Sequence, residues 1–599
     1  MKRVVIIPFL LIVFTLSATP IGEQRARNIA LNFFGGSGAT RTSSAEVELV
    51  WAGNDKALEV TSASSSRLMR VEREEEVENA LLYLYNRLDA EGFVVVAGDD
   101  KVQKPIIAFS RERAFDIENV ADGAKAILQS WSDQISALRS NNTLSAVTRA
   151  DDDSVGNVVC SYDTASWAQG KPYNSEVPSF DGETMRAGCV AVAAGILCHY
   201  HKWPEKGVGS TPEYTYTDDR GVKRTMPSYE LGRTYDYSKM KTSYKDSYTE
   251  EEGAAVAALL FDLGRAFKMN YGQEDSGANV PNAGEALVNM FGYSKSMMYY
   301  KHLSYPDEEQ WCEMLRENIR ENGPMIYRGS DKNGGGHAFI LDAYTDKGYF
   351  SVNYGWGGSS DGFYLLPNLT YFKSQSGIFN LVPDRDGSSQ YIDHLTTSYF
   401  TASNSGSKYR GLYSKATSYK VGEEFKIYVS AYNAGIATYT GTFYVAHCDK
   451  DDNIKEIIYE KSRSIAPDKS HGYAPTCKLS KTIEKGDCLR MFYTRTGSEE
   501  LVMARRHTTS AYDKVYLWAT PEEVAESMTL AYEQEGKVLT INSSNALQYS
   551  VRKSSGEVVV TNEVESFTPI IFDLSTYEKG TYTFSFATGG DPYELTIIL

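Results

Sequence analysis

Near residue 395 the apolar residues change their spacing, and that change limits what one chain of 599 residues can build. Upstream, positions such as Ile29, Phe33 and Phe34 recur near the helical period, between strand-like runs such as Phe93-Val94-Val95-Val96 and Ile106-Ile107-Ala108-Phe109. Downstream, Phe425, Ile427 and Val429 alternate, with turn residues at Asn433 and Gly435. Tyr582, Phe584 and Phe586 alternate again before a Gly589-Gly590-Asp591 turn. A mixed α+β part followed by an all-β part calls for separate cores, and roughly 150 residues per domain allows about four units.

The boundaries follow from local composition. Residues 1–18 are expected to be a removable signal peptide: Met1-Lys2-Arg3, an apolar run over 4–16, then Ser17 and Ala18. That run is shorter than the roughly 20 residues a membrane-spanning helix needs, and no later run reaches that length, so the mature form is expected to lack a transmembrane segment. Residues 19–150 form a small α+β unit that ends in a polar stretch, 141–157, containing Arg149 and the acids at 151–153. An exposed linker behind a signal-led unit is where a propeptide would be cut. Residues 151–385 form a second α+β domain, with helices expected over 187–200, 252–267, 283–290 and 307–321 and glycine-rich loops near Gly334 and Gly355. An Ig-like β-sandwich is expected over 395–519 and a small β module over 520–599.

A net charge of −17 repels phosphate backbones and anionic lipid, so nucleic acid is not an expected partner. Seven cysteines without a C-x-x-C are too few for a disulfide scaffold and leave at least one unpaired. Cys477 and Cys488, each on an expected strand, are candidates for a bridge after export.

Cys189 opens the segment Ala187-Gly188-Cys189-Val190-Ala191-Val192-Ala193-Ala194, whose small residues suit a buried helix stopped by Trp203-Pro204. In the first turn a thiol lies at the positive end of the macrodipole, which favours the thiolate and a lowered pKa. Cys198, deep in the same helix, is expected to pack. The nucleophile needs a base, and His199 and His201 lie about 15 to 18 Å along the axis from Cys189, out of reach. His337 follows Gly334-Gly335-Gly336 and begins a strand, and glycine there, Gly336 included, lets a substrate backbone approach. Antiparallel pairing across the turn Thr345-Asp346-Lys347-Gly348 is expected to bring Asn353 back to orient the imidazole, completing a Cys-His-Asn set. The aromatics of Tyr354-Gly355-Trp356 are placed to cover the bond between His337 and Asn353. Gln169 and the Cys189 backbone N–H are candidate oxyanion donors.

These blocks resemble the streptopain-type, papain-like cysteine peptidases. The matching pieces are Gln169-Gly170-Lys171-Pro172-Tyr173-Asn174, Gly188-Cys189-Val190-Ala191, Gly335-Gly336-His337-Ala338-Phe339 and Val352-Asn353-Tyr354-Gly355-Trp356-Gly357-Gly358 running on to Asp361-Gly362-Phe363. Met269-Asn270-Tyr271-Gly272 leading to Ser276-Gly277-Ala278 is similar to the family's active-site loop. The resemblance implies Cys189 as nucleophile, His337 as general base and acid, Asn353 as orienter and Gln169 as oxyanion donor. It implies substrate contacts at Ser276, Gly277, Gly336 and Trp356, protein or peptide substrates with an apolar residue second before the scissile bond, and no metal or cofactor. It also implies a zymogen, because residues 83–86 and 92–100 look like the family's inhibitory prodomain. Tyr354 departs from the family, which usually carries Trp after the Asn.

The resulting expectation is an exported cysteine endopeptidase, secreted, periplasmic or surface-associated, with its own propeptide as inhibitor. A rival reading, motivated by the β modules and 42 tyrosines, is a surface adhesin or glycan-binding protein on a non-catalytic protease-like scaffold. An acyltransferase using Asp342 in place of Asn353 is weaker, because Asp342 lies an odd number of residues beyond His337 and faces the other way on a regular strand.

Overall fold

The structure, a computed structural model, describes residues 20–35, 45–53, 79–100, 102, 104–117, 122–140, 154–305, 308–331, 334–366, 373–403, 405–414, 416, 419–506, 514–517, 528–533, 538–543, 547–564, 570–587 and 592–599. The expected signal peptide, most of the linker and the 589–591 turn lie outside these residues. The chain divides into two compact units, Met1–Phe291 with Leu315–Gln375, and Gly292–Met314 with Ser376–Leu599.

In the first unit, helix α1 (Glu23–Gly35) buries Ala26, Ile29, Ala30, Phe33 and Phe34, the stripe its spacing predicts. They pack with Tyr83, Tyr85, Val94, Val96 and Phe109. Strands β1 (Val47–Gly53), β2 (Leu82–Arg87), β3 (Phe93–Ala97) and β4 (Ile106–Ser110) form an antiparallel run, followed by helix α2 (Asp122–Ser140). β3 and β4 are buried throughout, as continuous apolar runs require.

The domain that follows contributes helices α3 (Cys189–His201), α4 (Glu250–Ala266) and α5 (Val280–Phe291), and strands β5 (Val158–Ser161), β6 (Met325–Ser330), β7 (Gly336–Thr345), β8 (Tyr349–Asn353) and β9 (Gly362–Leu365). α3 is buried from Cys189 to His199, and its small residues let it lie close against α4 and β7. α4 begins ahead of its apolar pattern because Thr249 accepts from Glu252 N–H while the Glu252 carboxylate accepts from Thr249 N–H, a reciprocal cap.

One sheet joins these two parts. Its order in this unit is β1-β2-β3-β4-β9-β8-β7-β6, with β5 also on β7. The seam is β4 against β9, where Phe363 pairs with Phe109 and Tyr364 with Ala108. The N-terminal strands thus extend the sheet that carries His337 and Asn353.

In the second unit, strands Leu395–Thr397, Glu424–Asn433, Tyr439–Cys448 and Cys488–Thr494 enclose Ile427, Val429, Phe443, Val445, Leu489 and Met491. A separate cluster holds Leu539, Ile541, Val551, Tyr582, Phe584 and Phe586, the last three at the alternating positions of Thr581–Ala587. None of the seven cysteines is joined in a disulfide. Cys477 lies on a strand paired with Glu424–Asn433, whereas Cys488 stands opposite Cys448 in another sheet, so the expected Cys477–Cys488 pair is not brought together.

Candidate active site

Gly188 sets where α3 begins. Its φ of 93° suits glycine, and a Cβ there would come within 2.7 Å of the Met269 side chain and 3.0 Å of the Ser276 carbonyl. The loop that begins at Met269 can therefore press against the helix start, which places Cys189 in the first turn.

Cys189 is buried on a helix packed against the strand of His337, and the backbone amide of Ala338, the residue after His337, favours its thiolate. A helix and a strand almost 150 residues apart in sequence thus bring the thiol beside the histidine segment. The lowered thiol pKa expected from the macrodipole is not what this state holds. Burial pushes the Cys189 thiol up to about 11, the Asp275 carboxylate adds to the rise, and the N–H groups of Ala338 and Val190 offset only part of it.

His337 begins β7 opposite Gly329 and is buried. Its Nε2 lies 2.8 Å from the Tyr354 carbonyl oxygen. A carbonyl only accepts, so Nε2 carries the proton and Nδ1 of the neutral ring is the basic nitrogen. Burial lowers this imidazole to about 4, against the pull of the Tyr354 carbonyl. With the thiol high and the imidazole low, both groups are neutral.

Asn353 corrects the sequence expectation. In the β7–β8 ladder it pairs with Ile340, three residues beyond His337, after a register shift between Leu341 and Ala343. Extending that register sets Trp356 opposite His337, and the two rings lie 4.9 Å apart. The Asn353 amide donates to Thr164 Oγ1 and to the Ala165 carbonyl, both at 3.0 Å, and its oxygen accepts from Gly355 N–H at 3.1 Å. The orienting acceptor on His337 is a backbone carbonyl one residue later, which no side-chain pattern announces. Trp356 stacks on Tyr354 at 4.7 Å, so the aromatic pair covers the imidazole rather than a His–Asn bond.

Gln169 lies beside the helix start, its carbonyl accepting from Ala187 N–H at 3.1 Å. Its half-buried side chain makes no hydrogen bond to a described residue. Ser276 is fully buried: its hydroxyl donates to the Arg186 carbonyl and accepts from Gly272 N–H. The expected Ser276 substrate contact is thus corrected for its side chain, which braces the loop. Gly277 is exposed, with its N–H and carbonyl both bonded to Asn270. Gly336 is exposed at the start of β7.

Two buried carboxylates complete the surroundings. Asp342 accepts from Thr164 Oγ1 at 2.5 Å, so it belongs with Asn353 and not with the imidazole. Asp361 accepts from Tyr354 N–H at 2.9 Å. Burial raises Asp342 to about 6 and Asp361 to about 7. An acid within the glycine-rich run 355–362 was the sequence signal for Asp361. Among the described residues no cluster of His, Cys, Asp and Glu has the make-up of a metal site.

A helix-start cysteine near a strand-start histidine, on a sheet extended by an N-terminal unit, fits the papain-like thiol peptidase fold. Residues 167–364 match the Peptidase C10 family and residues 18–135 match the Spi protease inhibitor model. The Peptidase C10 match covers about a third of the chain, with the inhibitor match ahead of it. It is 31% identical over 363 residues to the thiol protease/hemagglutinin PrtT of Porphyromonas gingivalis, covering 58% of this chain and 39% of that protein. It is 28% identical over 327 residues to streptopain of Streptococcus pyogenes, covering 51% of this chain and 79% of that protein. Prointerpain A of Prevotella intermedia is a similar solved structure, at 30% identity and a TM-score of 0.41, covering 50% of this chain and 95% of that one.

Proposed function

We propose that this chain is an exported cysteine endopeptidase made as a latent precursor. The observation that carries the reading is the Cys189 thiol held against the His337 segment, with Nε2–H committed to the Tyr354 carbonyl so that Nδ1 is the base. Nδ1 takes the thiol proton, and the sulfur attacks the scissile carbonyl carbon to form the C–S bond. The Cys189 N–H and the Gln169 amide hold the oxyanion. The imidazolium then protonates the departing amine as the C–N bond breaks. Water gives a proton to Nδ1 and attacks the acyl carbon, and as the C–S bond breaks the sulfur takes that proton back, restoring the thiol and the neutral imidazole. The scheme draws on no metal or organic cofactor. Gly336, Gly277 and Trp356 line the approach of the substrate backbone.

In this reading, residues 1–18 direct export, 19–150 inhibit, 151–385 catalyse, and an Ig-like module over 395–519 and a β module over 520–599 serve attachment or recognition. Among the described residues no helix is long and apolar enough to cross a membrane. The test is covalent labelling by an epoxide peptidase inhibitor together with hydrolysis of a peptide substrate. Labelling at Cys189 with Cys198 silent, and loss of hydrolysis in Cys189→Ala, supports the enzyme. Full hydrolysis in Cys189→Ala refutes the assignment, and a processed parent chain that neither labels nor hydrolyses favours the adhesin.

A further inference from the structure

Asp361 is a buried carboxylate that the acyl-transfer scheme leaves unused. It stands at the end of the glycine-rich loop, immediately before β9, with its side chain 8% exposed. Its two oxygens face different ways. Oδ1 accepts from Tyr354 N–H at 2.9 Å, and Oδ2 accepts from Arg113 Nη1 of the N-terminal unit at 3.2 Å. Tyr354 also turns its carbonyl to the His337 Nε2–H at 2.8 Å. One residue thus has its N–H fixed by the carboxylate and its C=O fixed on the imidazole.

A buried carboxylate is costly unless its oxygens are used and its charge is matched. Burial pushes Asp361 up, and the Asp342 carboxylate pushes it further, whereas Arg113, Tyr354 N–H and Lys245 pull it down. The Tyr364 ring system lies beside it, and its phenol feels the same charge. The loop is shaped for the guanidinium: Gly358 has φ +83°, and a Cβ there would come within 2.1 Å of Arg113 Nη1. A bare loop cap would need only Oδ1. The second oxygen and the cleared path for Arg113 join this carboxylate to the N-terminal unit.

We propose that Asp361 is a positioning residue for His337, acting through the Tyr354 peptide unit, with Arg113 as its counter-ion in the intact precursor. The inference rests on the reading of His337 as the base. Asp361 holds Tyr354 so that its carbonyl keeps the proton on Nε2 and leaves Nδ1 basic. Arg113 departs with the N-terminal unit, and the carboxylate then keeps Tyr354 N–H and the more remote Lys245.

The test uses the full chain carrying Cys189→Ala, labelled with nitrogen-15 histidine, with the His337 signals assigned by His337→Gln. The parent is expected to show a single tautomer, with a slowly exchanging Nε2–H and an unprotonated Nδ1. Asp361→Asn keeps an oxygen acceptor for Tyr354 N–H and is expected to retain that tautomer. Asp361→Ala is expected to give mixed tautomers, a fast-exchanging ring proton and a His337 titration moved back towards 6.5. A parent-like His337 spectrum in a folded Asp361→Ala chain overturns the proposal. If Asp361→Ala does not fold, Asp361→Glu, which moves the acceptor by one methylene, is read the same way: a shifted His337 resonance supports it and an unchanged one overturns it. The readout does not need turnover, so a parent that fails to cleave peptides counts against the proposed function and is seen separately.

Discussion

Iodoacetamide labelling of Cys189 in the intact full chain follows from the neutral state of the site. Alkylation proceeds through the thiolate. Burial, with the Asp275 carboxylate adding to it, pushes the Cys189 thiol up to about 11 from an ordinary 9.0. At pH 7 the thiolate fraction is then of order 10⁻⁴, about a hundredfold below that of an ordinary thiol. The rate constant should rise about tenfold per pH unit between pH 6 and pH 10. Burial also slows access, so the slope decides and the absolute rate does not. The assay is a pH series quenched and digested, with the Cys189 peptide quantified by mass spectrometry. A rate that is already flat between pH 5 and pH 8 would mean that a thiolate–imidazolium pair exists in the precursor, and the argument from burial would be refuted.

Asn353→Ala removes two donated bonds and one accepted bond, so it is expected to cost about 1 to 3 kcal/mol of stability in urea unfolding, while the His337 tautomer persists. Loss of the Nε2–H signal without loss of stability would restore Asn353 as the direct orienter. Asp361 and Asp342 both have raised folded pKa values, so the native chain binds more protons than the unfolded one. The stability they contribute is complete below about 3.8 and is lost as the pH rises through about 7. Arg113→Gln removes an opposing charge, and its unfolding midpoint should fall further below the parent's as the pH rises from 5 to 8; a constant gap contradicts this. Peptide mapping without reduction should find no Cys477–Cys488 bridge, since Cys488 stands opposite Cys448.

What was legible in the sequence was periodic or compositional. The α1 stripe, the buried runs of β3 and β4 and the alternation at Tyr582, Phe584 and Phe586 emerge because side-chain burial follows backbone period. Cys189 and His337 were legible because a helix start and a glycine-led strand start leave marks in residue type. Asn353 was expected to return to His337 across a short turn, but the pairing near that turn would set it opposite Leu341, and the register shift between Leu341 and Ala343 brings it only as far as Ile340. The carbonyl that orients His337 has no residue signature, since every residue carries one. Ser276 has a small polar side chain that suits either a substrate contact or a loop brace, and only its bonds to Arg186 and Gly272 decide between them. The direction of the Cys189 shift needed three dimensions: a helix-start position favours the thiolate, and the depth of burial that overrides it is a property of the packed domain.

The most direct check on the central claim is N-terminal sequencing of the chain after self-processing, beside its Cys189→Ala counterpart. The parent should begin at a new residue within 141–157, and the Cys189→Ala chain should keep its N-terminal unit. Appearance of the same new N-terminus in Cys189→Ala, at the same rate and with no other protease present, would contradict the assignment of that sulfur as the nucleophile.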